Sequence, residues 1–199
     1  ITGMGGISLK FTGFGMAFQD FDLDGTIDLF VANGAVQAWK EHERFDPEDA
    51  YAEPNHLFRG VRKGKRIKFE LTRPEGATAT PIYATSRGAA FGDLDDDGDV
   101  DMVVVDLDAR PKVMENIAPR IDGATGWVGF RCVEGSKDAD VHGATVSIAR
   151  AEEGKRQYRQ AHPTYSYLSS NDPRVHFGLG AQTAAEDVRV RWPDGTVEF

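Results

Sequence analysis

Apolar residues in this chain fall into short runs, alternating with polar residues or unbroken over four or five positions, and Gly, Asp, Asn or Pro bounds most of them. LFVA at 29–32 and MVVV at 102–105 are unbroken, and each is followed by a further strand signal, NHLFRG at 55–60 and KVMENI at 112–117. A different series begins after residue 120: WVGFRCV, GATVSIARA, GKRQYRQAH, RVHFGLG and DVRVRW. Few stretches recur every three to four positions as an amphipathic helix requires. The pattern predicts an all-β chain.

The strand signals also repeat. GMAFQDFDLDGTIDL at 15–29 matches GAAFGDLDDDGDVDM at 88–102 at a constant offset of 73, with eight of fifteen positions identical. NHLFRG and KVMENI match at an offset of 56, so the first copy carries about 17 extra residues, within AVQAWKEHERFDPEDAYAEP at 35–54. The repeat stops near residue 120, and the sequence predicts a domain boundary there, within APRIDGATG, separating residues 1–119 from 120–199.

Each copy places Asp at relative positions 1, 3, 5 and 9 and Gly at 6: Asp20, Asp22, Asp24, Gly25 and Asp28, then Asp93, Asp95, Asp97, Gly98 and Asp101. That spacing wraps oxygen atoms around a hard cation, with the carbonyl at position 7, from Thr26 or Asp99, as a further ligand. An EF-hand would need a bidentate Glu at position 12, where this chain has Val31 and Val104 in apolar runs, so the loops join strands rather than helices. All-oxygen ligation in a flexible carboxylate cage favours calcium over zinc, copper or magnesium, and two ions are expected. Asp96 falls between ligand positions and is expected to be solvated.

Net charge sharpens this reading. At −9 the chain would repel a nucleic-acid backbone, and ten aspartates crowd into residues 20–28 and 93–101, where they repel one another unless a cation intervenes. No apolar run is long enough to span a membrane. The chain opens without Met and closes in strand-like WPDGTVEF, so it is expected to be a piece of a longer protein whose leader would be missing. The single Cys132 rules out an internal disulfide framework and is expected to be a buried strand thiol.

Catalytic signatures are sparse. None of His42, His56, His142, His162 and His176 is paired at metal-ligand spacing, and GxSxG is absent. His56 and His176 lie in strand signals and are expected to be structural. His42 lies among charges in the insertion and is expected to be solvated. Trp39, Phe45 and Tyr51 in the same insertion would form either an exposed patch for a partner or packing between repeats. The insertion is expected to be removable without loss of the repeat core.

AFQDFDLDGTIDLFVANG and AFGDLDDDGDVDMVVVD resemble FG-GAP/VCBS repeats, the calcium-loop blades of β-propellers. HGATVSI at 142–148, SYLSSNDPRVHFGLG at 166–180 and VRVRWPDGTVEF at 188–199 are similar to the ASPIC/UnbV domain of the cartilage acidic protein family and its bacterial relatives. The resemblance implies about two propeller blades, with calcium held by the eight aspartates above, followed by a small all-β domain. Upstream blades would then be missing from this sequence. It also implies an extracellular or periplasmic setting, and a core role for Tyr165, Tyr167 and Leu168. The family pattern ends such repeats in Asn, as at Asn116, whereas the first copy has Gly60. On these grounds the expected function is calcium-stabilised binding or adhesion, with a protein or glycan partner and no catalysis of its own. The alternatives are a fragment of a calcium-dependent propeller enzyme and a structural appendage of a larger secreted complex.

Overall fold

The computed structural model describes residues 3–117, 126–150 and 155–199, and of Ser136 the backbone only. Most of the boundary segment expected at 118–126 lies outside the described residues. The chain is mostly β, as its apolar pattern requires; its α-helix among the described residues is Gly5–Ser8. No helix among them is long and apolar enough to cross a membrane.

Strands β1 (Gly13–Gln19), β2 (Asp28–Asn33), β3 (His56–Lys63) and β4 (Arg66–Leu71) form an antiparallel meander. β5 (Ser86–Gly92), β6 (Asp101–Asp106) and β7 (Lys112–Met114) form a second, three-stranded sheet. The sequence repeat is a repeat of register: Ala17 faces Phe30 and Gln19 faces Asp28, as Ala90 faces Val103 and Gly92 faces Asp101. β4 was not anticipated from sequence, although RIKFEL alternates; it closes on β3 through a hairpin with Gly64 at φ 61°.

β1 alternates Gly15 and Ala17 inward with Met16 and Phe18 outward, whereas β2 is buried on both faces, which explains its unbroken apolar run. Ala17, Phe30, Ala89, Phe91 and Val104 form the core between the two sheets, and burial of a side chain such as Phe30 contributes roughly 2–3 kcal/mol. The sheets approach closely because Gly15 has no side chain: a Cβ there would lie 2.4 Å from the Ala89 nitrogen.

The insertion is not a detachable loop. Ala52 and Glu53 are fully buried, Arg87 donates to the carbonyls of Gly34 and Ala35, and the Thr12 N–H donates to Glu53 Oε2 at 2.8 Å.

The C-terminal part pairs β8 (Gly126–Phe130) with β11 (Val175–Gly180). Beside that pair is a four-stranded sheet in the order β10 (Arg156–Gln160), β9 (Thr145–Ala149), β12 (Arg189–Arg191), β13 (Val197–Glu198). Its core contains Ala144, Val146, Ile148 and Phe177 together with Cys132. The thiol is buried as expected, but it sits in the break between β8 and the short strand Val133–Glu134. Tyr165 packs on the first core, its hydroxyl accepting from Gln19 at 2.9 Å. Tyr167 and Leu168 depart from the expected core role: Leu168 is 87% exposed, at the tip of a tight turn with φ 47°.

Candidate metal centre

Both acidic loops connect the first two strands of their sheets, β1 to β2 and β5 to β6. Each is wound by the same bonds. Asp28 accepts from the N–H groups of Phe21 at 3.0 Å and Gly60 at 2.8 Å; Asp101 accepts from Leu94 and Asn116, both at 2.8 Å. Thr26 N–H donates to Asp24, and Asp99 N–H to Asp97. Gly25 and Gly98 take φ of 83° and 96°, the left-handed turn that the spacing demanded. A backbone N–H from the third strand of each sheet, or from just beyond it, thus closes the loop, supplied by Gly60 within β3 and by Asn116 two residues after β7. Gly60 is required for a steric reason, because a Cβ there would lie 2.1 Å from the Ile27 oxygen. Asn116 adds a bond of its own, from its side chain to the Phe21 carbonyl at 2.8 Å, joining the two loops.

Carboxylate oxygens of Asp20, Asp22 and Asp24 lie within 4.8 Å of one another, as do those of Asp93, Asp95 and Asp101. Asp28 in the first loop, and Asp97 and Asp99 in the second, stand outside these groupings. Asp20 Oδ1, both oxygens of Asp93 and Asp99 Oδ1 are buried without a hydrogen-bond partner. An ionised oxygen in that state costs several kcal/mol unless a cation meets it. Without one, burial pushes Asp20 up to about 8, the neighbouring aspartates adding to the rise and Arg159 opposing it. Burial likewise raises Asp28 to about 7 against its bond from Gly60, and Asp99 to about 7 with Asp97 and Asp101 adding. The donor set is all oxygen, and these unpartnered atoms fit a hard cation.

The C-terminal part covers both loops. Gly180 N–H donates to the Leu23 carbonyl at 2.9 Å, Arg150 donates to the Gly25 carbonyl, and a Cβ on Gly178 would fall 2.3 Å from Asp20 Oδ2. Over the second loop, Arg174 donates to the Asp93 carbonyl at 2.9 Å and pairs with Asp96 at 3.1 Å, so Asp96 is exposed as expected but held. Trp127 lies on Gly98, where a Cβ would meet its ring at 1.7 Å. Sequence reading missed these contacts, since Arg150 and Arg174 carry no local signal.

Of the other candidates, His42 is buried rather than solvated, because its Nε2 faces Glu53 Oε1 at 3.6 Å and its ring packs on Phe45. Phe45 stacks on Tyr83, leaving Trp39 and Tyr51 exposed apart from it. His56 is structural as expected: it is buried, bonded to Asn33 at 3.1 Å, and burial lowers it to about 4. His176 is buried in β11 against Trp127. A cleft of about 420 Å³ opens between β1 and β10, bordered by Met16, Phe18, Arg159 and Tyr165. It lies beside the first loop rather than at it.

Residues 134–199 match the family ASPIC and UnbV. The chain is also 26% identical to Cartilage acidic protein 1 of Mus musculus, over 88% of this chain and 25% of that protein. It therefore spans a quarter of the length of the curated relative it matches.

Proposed function

We propose that this chain is a calcium-binding module of an extracellular or periplasmic protein, in which two ions rigidify two blades of a β-propeller whose surfaces meet a protein or glycan partner. Asp93 carries the reading, since both its carboxylate oxygens are buried and unpartnered in a loop that already holds five other aspartates. Asp20, Asp22 and Asp24 would hold one ion and Asp93, Asp95 and Asp101 the other, with Asp28 and the carbonyls of Thr26 and Asp99 added by their spacing in the loops. Asp97 belongs to the second set by its spacing. Two sheets of matching register, each closed by an acidic loop, support the blade assignment. The similarity to Cartilage acidic protein 1 supports the setting. Outside cells, calcium is abundant enough to fill sites of about 0.1–1 mM dissociation constant. The exposed Trp39 and Tyr51 are suited to partner contact.

Thermal unfolding in EDTA and in excess calcium tests the proposal. Calcium is expected to raise the midpoint, because the ion binds only the folded loops. Equal midpoints at low ionic strength would overturn it.

A further inference from the structure

The repeat makes the two acidic loops alike in sequence spacing, backbone bonds and register, yet their surroundings differ in charge. In the first, Arg59 from β3 holds two of the grouped aspartates: its Nε lies 2.6 Å from Asp22 Oδ2 and its Nη2 3.5 Å from Asp24 Oδ2. Arg159 from β10 adds a second positive charge near Asp20. Counting the arginines that act on a loop carboxylate, and so leaving out Arg150 on the Gly25 carbonyl, four aspartates face two guanidinium groups among the described residues, a formal charge of −2.

The position equivalent to Arg59 in the second repeat is Glu115, which carries the opposite charge. Arg174 approaches that loop from outside, through the carbonyl rather than the carboxylate of Asp93 and through the exposed Asp96. With Asp97 left out of the count, five aspartates face this one arginine among the described residues, a formal charge of −4. Unpartnered buried oxygens follow the same division: one in the first loop, on Asp20, and three in the second, on Asp93 and Asp99.

Carboxylate charge at an oxygen cage is a main determinant of calcium affinity, and a fixed cation beside the cage opposes the ion. We propose that the two sites are unequal: the second loop is the tight calcium site, and the first is a weak one whose aspartates are already matched in part by Arg59 and Arg159. This inference rests on the calcium reading above. Arg59 acts as a positioning residue that sets affinity from outside the cage. The first loop would respond to changes in external calcium while the second remains filled.

Calorimetric titration of calcium into the chelator-stripped chain is the test. Two classes of site are expected, separated by at least about tenfold in dissociation constant. Arg59→Gln should tighten the weak class on the order of tenfold and leave the tight class unchanged, because one unit charge near a divalent ion is removed. Arg59 is half exposed, so this variant should fold. Asp20→Asn should abolish the weak class, and Asp95→Asn, at an exposed position, should loosen the tight one. Equal sites in the parent chain, or an Arg59→Gln chain whose weak class is unchanged or weaker, would overturn the inference while leaving calcium binding intact. No calcium uptake at all would overturn the calcium reading itself.

Discussion

Asp28 and Asp101 resemble the other acidic residues in sequence but have a distinct position in the structure, since each accepts one backbone N–H bond from its own loop, Phe21 or Leu94, and a second from a distant residue, Gly60 or Asn116. They hold the repeat together whether or not an ion is present. Gly60 is the partner that cannot change: Gly60→Ala would drive a Cβ into the Ile27 carbonyl and break the bond to Asp28. It should cost about 3 kcal/mol or more in urea unfolding with EDTA present, and a loss below about 1 kcal/mol would contradict the steric argument.

His56 gives a pH dependence of definite sign. Burial, with a smaller contribution from Arg73, lowers it to about 4, against about 6.5 in an unfolded chain. Between those values the unfolded state binds more protons, so stability rises with pH and is lost as pH falls from about 6.5 towards 4. The loss is at most on the order of 3 kcal/mol. His56→Gln retains an acceptor for Asn33 and should flatten the stability profile over that window relative to the parent. Parallel profiles would show that His56 does not titrate on unfolding.

At the scale of elements, the insertion at 35–54 behaves as part of the first sheet rather than as a loop laid over it. Its buried Ala52 and Glu53 and the bonds from Arg87 tie β2 to β5. Deleting residues 36–50, which removes the buried His42 that faces Glu53 and the Asp49 that accepts from the Thr85 hydroxyl, should lower the melting midpoint by several degrees even in saturating calcium, where an appended loop would leave it unchanged. The general tolerance of surface loops fails here because the insertion carries buried contacts, which its polar composition conceals.

Across the whole molecule, the C-terminal part and the acidic loops share hydrogen bonds, so the state of one reaches the other. Gly180 donates to Leu23 inside the first loop, and Asp172 donates to Phe91 just before the second, each at 2.9 Å. Calcium should slow hydrogen exchange at both amides, although neither residue belongs to an acidic loop. Slowing confined to residues 20–28 and 93–101 would mean that the two parts open independently.

The sequence by itself determined most of the strands, though not β4, together with the repeat and the position of both acidic loops, because each depends on local spacing: alternate burial in a strand, Asp at every second position, Gly where the chain turns left-handed. It also identified the C-terminal family likeness, through motifs that are continuous in the chain. Only the tertiary structure decided what surrounds the loops. Arg59, Arg150, Arg159 and Arg174 reach them from elsewhere in the chain, and His42 becomes buried because Glu53 comes to face it. Charge and burial are sums over neighbours in space, and those neighbours lie far apart in the chain, Arg150 being 125 positions from the Gly25 it meets. Two loops of the same spacing therefore meet different electrostatic environments.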